Sequence, residues 1–264
     1  MADLVIDTDL NILPPEMTAG VCGTVPRDYE ATPMRAVTMP LIPRSEWSER
    51  IKEQKATKSR LSDVRLAAVG GRPIPSLQQG SYGYCWAHST THAAMIERAV
   101  NNQPYVPLSA FGVAATIKRG ANEGAWGALS LDFASDRGIP SQAVWPQGDA
   151  RYKQYDRPEV WADAARHKVG EAWNDVALPA YDRDLSFDQV ATCLLTGVPV
   201  IGDFMWWRHS VALLDLEEPT PGQFGVRIWN SWGDEWGELG MAVLTGSKAI
   251  PDGATALRTV AAAA

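Results

Sequence analysis

The sequence predicts an α+β fold made of two segregated lobes. Two observations carry that prediction: segments of helical texture fill the first half of the chain, and short β-rich runs follow Pro199. A third is the Gly and Pro punctuation between these segments, which limits each to ordinary element length. With 264 residues the chain buries a sizeable core and needs neither disulfides nor a metal for bulk stability.

Residues 1–44 carry prolines, threonines and scattered apolar side chains (Leu4, Val5, Ile6, Leu10, Ile12, Leu13, Met17, Val21) with no period of 2 or 3.6. They are expected to form an extended N-terminal arm, followed by a folded domain over 45–264. Such a segment has no core of its own, but prolines lower the entropy it loses on docking along a groove of this chain or of a neighbour. Residues 45–64 are charged and helix-compatible, with Ser45 as the expected N-cap. Gly70, Gly71, Pro73 and Pro75 then break regular structure. Cys85–Val100 predicts a largely buried helix, stopped by Asn101, Asn102 and Pro104. A further helix is expected over 129–137, ended by Gly138 and Pro140, and another from a Ser186 cap to Leu195, ended by Gly197. Strands are expected over 198–204, 210–216, 224–229 and 241–244.

Lys and Arg number 24 against 31 Asp and Glu, a net charge of −7, with no basic concentration of the kind that binds nucleic acid or an anionic membrane. No apolar run approaches the ~20 residues that span a bilayer. The acidic start, Met1 to Asp7, lacks the apolar core and cleavage site of a secretory signal. Three cysteines (Cys22, Cys85, Cys193) do not make a disulfide framework. A reducing location is therefore expected, in the cytoplasm or within a virus particle. No cofactor is expected.

The most informative stretch runs from Gln79 to Ala87. Gly80 and Gly83 let the backbone turn, and Cys85 lands in the first turn of its helix. The positive end of the helix favours thiolate over a thiol whose ordinary pKa is ~8.5. A lone cysteine is more often a buried structural group, and context decides the matter here. His209 follows Trp206, Trp207 and Arg208 and opens a strand-like run. After a second strand come Asn230 and a glycine-punctuated aromatic loop to Gly240.

Together these pieces resemble the papain family of cysteine peptidases. The family's Q-G-x-x-G-x-C-W segment is matched by Gln79 to Trp86, and N-S-W-G-x-x-W-G-E-x-G by Asn230 to Gly240. Its G-C-N-G-G substrate loop is similar to Gly120-Ala121-Asn122-Glu123-Gly124. The separations from Cys85 to His209 and to Asn230 are close to the roughly 130–150 residues expected. The likeness runs through most of residues 40–245. It implies a helical lobe over about 75–185, an antiparallel, barrel-like β lobe over about 186–250, and an active site between them. It also implies a cysteine-type peptidase that hydrolyses peptide or protein substrates through a thioester acyl-enzyme. By the resemblance, Cys85 is the nucleophile, His209 the general acid and base, and Asn230 the group that orients the imidazole. Gln79 is implied to form the oxyanion hole with the Cys85 N–H, Trp232 to cover the His–Asn bond, and Gly124 to pair its backbone with bound peptide.

The sequence also departs from the family. Tyr82 and Ala121 stand where a disulfide usually joins two loops, so a ring opposite a methyl is expected to fill that space. The interval from Pro199 to His209 is short, and Arg208 precedes the histidine. Residues 1–44 are too short and irregular for a helical inhibitory propeptide. Competing readings are a C-x-x-H-x-x-x-H metal site from Cys85, His88 and His92, and acyl transfer or deamidation at the same cysteine. A non-enzyme alternative is a structural component of a larger, virus-like assembly, with homo-oligomer or particle contacts through residues 1–44.

Overall fold

The computed structural model describes residues 4–6, 22–170 and 173–257. The arm residues Leu10, Ile12, Leu13, Met17 and Val21 lie outside the described residues. Near the start of the chain is a two-residue strand, β1 (Val5–Ile6). The charged segment after Pro43 then folds as two helices, α1 (Arg44–Thr57) and α2 (Leu61–Ala67), where one was expected. Lys58 breaks it in the left-handed region at φ 53°, returning its N–H to the Gln54 carbonyl. Pro43, not Ser45, holds the capping position.

The predicted central helix, α3 (Cys85–Val100), has the bounds read from the sequence. It is followed by α4 (Ala110–Ile117), α5 (Gly127–Asp136), α6 (Tyr152–Tyr155) and α7 (Pro158–Ala164). Then come β2 (Trp173–Ala177) and α8 (Arg183–Leu195). The cap of α8 is Asp182, whose carboxylate accepts the Leu185 N–H at 2.6 Å, so Ser186 falls inside the first turn. The remaining strands are β3 (Val200–Phe204), β4 (His209–Thr220), β5 (Gln223–Trp229), β6 (Met241–Thr245) and β7 (Gly253–Leu257).

Among the described residues these strands make one seven-stranded sheet in the order β1-β6-β5-β4-β3-β7-β2. It is antiparallel except for the β1–β6 pair. The barrel-like lobe expected from sequence is therefore an open sheet. Its two edges are covered by the N-terminal arm instead of by each other: β1 lines β6, and Ala36 bridges Asp175 of β2, which donates its N–H to Arg35 O at 2.9 Å.

Two cores divide the molecule. One surrounds α3 and holds Tyr84, Trp86, Ile96, Phe111, Leu131 and Trp145. The other lies under the sheet, where Trp47 of α1 and Val190 and Leu194 of α8 meet Val211, Leu213, Val226 and Ile228. Helix α3 joins the lobes: Ser89 Oγ and Ser210 Oγ are 2.8 Å apart, and His92 stacks on Trp229 at 3.8 Å with an interplanar angle of 7°. His92 Nε2 accepts the Leu77 N–H, while His88 spans Tyr84 O and Gln147. Both imidazoles are fully buried, and burial pulls His88 down to about 4. They are interior groups with their own partners, which disfavours the metal reading of the Cys-His-His spacing. Among the described residues no helix is long and apolar enough to cross a membrane.

Candidate active site

Cys85 is the first residue of α3, fully buried where the two lobes meet. The loop that delivers it is fixed by hydrogen bonds. Asn122 accepts the Gly83 N–H at 2.7 Å and donates to Ser81 O at 3.0 Å, and Tyr84 Oη donates to Ala121 O at 2.7 Å. These bonds join the 79–84 loop to the 120–124 loop where the family uses a disulfide. Tyr82 does not fill that space against Ala121 alone; its ring packs on Tyr84 and Phe111, with centroids 5.0 and 5.2 Å away.

His209 opens β4 opposite Phe204, after a tight turn through 205–208. Its Nε2 lies 2.7 Å from Asn230 Oδ1, which also accepts the Ser231 N–H at 2.8 Å. An amide oxygen can only accept, so Nε2 carries the proton and Nδ1 is left as the basic nitrogen. Nδ1 is buried and has no hydrogen-bond partner among the described residues. Trp207 and Trp232 cover the ring at centroid distances of 4.5 and 4.9 Å. Asn230 is held by its own N–H to Gly240 O at 2.8 Å. The loop to Gly240 is pinned from behind by Arg65, which donates to Asp234 and lies over Trp229. Burial pulls that guanidinium down to about 10.

The next residue on β4, Ser210, contributes a backbone hydrogen bond to Cys85 and so links the histidine strand to the sulfur. Gln79 reaches the same corner. Its Oε1 accepts from Ser231 Oγ at 2.6 Å, which turns the amide NH₂ toward the cysteine loop, where it donates to Tyr82 O at 2.7 Å. His209, Asn230, Trp232 and, through Ser231, Gln79 are thus brought together, with Cys85 beside Ser210 of the histidine strand.

The remaining occupant is the arm itself, expected to dock along a groove of this chain or of a neighbour and found on this chain. The arm crosses the cleft directly over Cys85, with Gly23 N and Thr24 Oγ1 each 3.4 Å from Sγ. Gly23 O accepts from Ala125 N at 3.0 Å, Val25 N donates to Ala125 O at 3.0 Å, and Thr24 N donates to Arg208 O at 2.9 Å. The segment therefore bonds to both lobes, parallel to the strand-like Ala125. Pairing runs through Ala125, one residue beyond Gly124. What Gly124 supplies is clearance, since a Cβ there would lie 2.3 Å from Gly23 O. Gly23 is just as confined, because its own Cβ would fall 1.9 Å from Gly83 O.

Further along, the arm is anchored by ion pairing. Arg27 Nη1 meets Asp175 Oδ1 at 2.5 Å, and the same fully buried carboxylate accepts the Arg35 N–H at 2.7 Å. Beside this track lies a cavity of about 130 Å³ bordered by Val25, Arg27, Ala128, Asp203 and Met205. Burial pushes Asp203 up to about 6, against hydrogen bonds from Ser210 and the Gly127 N–H. Burial likewise pushes the Cys85 thiol up, opposed by the contacts from Thr24, Gly23 and Ser210. With the arm in place, the sulfur is a shielded thiol.

Sequence reasoning missed Gly23, Thr24, Ala125 and Ser231. Ser231 sits inside a motif that was read, but the arm residues carry no local signal, since their partners lie far along the chain.

No protein-family model and no curated protein matches the sequence. Among solved structures the chain is similar to xylellain, a cysteine protease from Xylella fastidiosa, at 17% identity and a TM-score of 0.65, over 91% of this chain and 96% of that one. A structure concerned with the mite allergens Blo t 1 and Der p 1 matches at 17% identity and a TM-score of 0.64, over 96% and 85% of the two chains. Procathepsin B from Trypanosoma congolense matches at 13% identity and a TM-score of 0.59, over 92% and 87%. With the open α+β architecture and the cleft above, these likenesses establish that the chain has the fold of the papain-like cysteine proteases.

Proposed function

We propose that the chain is a cysteine peptidase whose own arm keeps it latent. The observation that carries this reading is a buried histidine, one residue before Ser210 on the strand beside Cys85, whose Nε2 faces Asn230 Oδ1 while its Nδ1 has no partner among the described residues. In this mechanism the arm leaves, water and substrate enter, and the thiol passes its proton to His209 Nδ1. Sγ then attacks the peptide carbonyl. The oxyanion meets the Cys85 N–H and the Gln79 amide, which Ser231 holds in orientation. The imidazolium protonates the departing amine, leaving a thioester, and the neutral ring then activates water to release the acid. Trp207 and Trp232 keep bulk water from the His209–Asn230 bond throughout.

The reading is tested by peptide hydrolysis with and without a thiol alkylator, with the labelled residue identified by peptide mapping. Loss of turnover in step with labelling of Cys85 is expected; turnover that survives full labelling of Cys85 rejects the mechanism. Gln79→Ala should lower kcat by roughly 10²–10³-fold, the scale for one oxyanion donor. KM should change little, because that donor matters most as charge develops. An unchanged kcat would mean the Gln79 amide does not meet the oxyanion.

A further inference from the structure

Cys22 takes no part in the chemistry above, yet it is the residue bonded to Gly23. The Gly23 nitrogen is 3.4 Å from Cys85 Sγ, which places the Cys22 Cα within about 6 Å of that sulfur. In an extended segment residues 22 and 24 face the same side, and Thr24 presents its hydroxyl to Sγ at 3.4 Å. Cys22 is half-buried against the sheet core that contains Trp207 and Trp232, the rings beside His209. A half-buried cysteine therefore stands next to the fully buried nucleophile. Both are reduced in this structure.

We propose that Cys22 is the disulfide partner of Cys85, so that a hydroperoxide locks the docked arm over the nucleophile and a dithiol releases it. The consequence for activity rests on the peptidase reading; the bond itself does not. Cys22, the less buried of the two, meets hydrogen peroxide first. Its sulfur takes one oxygen, the O–O bond breaks, and a sulfenic acid and one water result. Cys85 Sγ then attacks the sulfenyl sulfur. The S–O bond breaks and hydroxide leaves with the Cys85 proton as a second water, His209 Nδ1 being the base at hand. The sum is two thiols and one peroxide giving one disulfide and two waters. A dithiol returns two electrons and two protons by exchange through a mixed disulfide. Held in this way, the catalytic sulfur is kept from the irreversible sulfinic and sulfonic acids.

The test uses the full-length reduced chain, treated with a small excess of hydrogen peroxide, alkylated, digested and mapped by mass spectrometry. The expected result is a Cys22–Cys85 cross-linked peptide, with titratable thiols in denaturant falling from three to one. Cys193→Ser should give the same cross-link. In Cys22→Ser the cross-link is absent, Cys85 runs on to sulfinic acid, and turnover lost to peroxide does not return with dithiothreitol, whereas the parent recovers in full. Oxidised Cys85 beside an intact Cys22 in the parent overturns the proposal. So does a Cys22–Cys22 dimer on a non-reducing gel, or equal recovery of the Cys22→Ser chain. The peptide map needs no turnover, so a chain that cross-links but cleaves nothing would reject the peptidase reading and leave the disulfide standing.

Discussion

Cys85→Ala is expected to lower peptide hydrolysis by at least about 10⁴-fold, because in the proposed mechanism every later step depends on the thioester. The fold should survive. The sulfur's polar contacts are with Gly23, Thr24 and the Ser210 backbone, and the bonds those residues make across the lobes, Ser210 Oγ to Ser89 and the arm to Ala125 and Arg208, do not pass through the sulfur. Losing one buried sulfur atom should cost on the order of 1 kcal/mol of unfolding free energy. Rates are best compared both in the parent and in an arm-released background, so that latency does not mask the difference. Denaturant midpoints on the same samples report the fold. An alanine variant that hydrolyses peptide as fast as the parent ends the Cys–His mechanism, whatever its stability.

The second large effect concerns release of the arm. Gly23→Ala should raise turnover about tenfold or more, since each 1.4 kcal/mol lost from the docked state multiplies the open fraction tenfold until it saturates. The new Cβ would sit 1.9 Å from the Gly83 carbonyl, in the short loop that delivers Cys85, and backbone there has no room to yield. The Arg27–Asp175 pair and β1 are untouched by this change. A point substitution is cleaner than deleting residues 2–38, because deletion also strips Asp175 of its partners and leaves a buried carboxylate uncompensated. Hydrogen exchange across residues 23–25 reports whether the segment has left the cleft. Faster exchange there with an unchanged rate would refute latency and leave the arm as packing.

Sequence texture disclosed the elements whose determinants are local. Helix α3 shows its apolar run, the turn before Cys85 and the Asn–Pro stop, and its bounds were read correctly. Strands β3 to β6 announce themselves by β-branched and aromatic runs between glycines. Helix α4 (AFGVAATI) did not, because a helix buried on most of its faces shows no periodic contrast. Strands β2 and β7 hide among polar and small residues, and only their mutual register and their place beside β3 make them strands. The break at Lys58 was equally silent, since a left-handed lysine leaves no mark in composition. At the site, the motifs brought Cys85, Gln79, His209, Asn230 and Trp232 to attention. The arm's station over Cys85 depends on clearance at Gly83 and Gly124, a three-body fit that no single stretch of sequence displays.

The placement of the arm at both margins of the open sheet bears on the fate of the molecule once it is opened. Strand β1 occupies one margin, and the backbone around Arg35 and Ala36 occupies the other. Complete loss of the arm would bare two rows of unpaired amides and carbonyls on β6 and β2, surfaces on which a second chain can add a strand. A version trimmed to the domain would thus be prone to self-association and short-lived in solution. A version opened only between these margins, near Gly23, keeps both rows paired and should remain monodisperse.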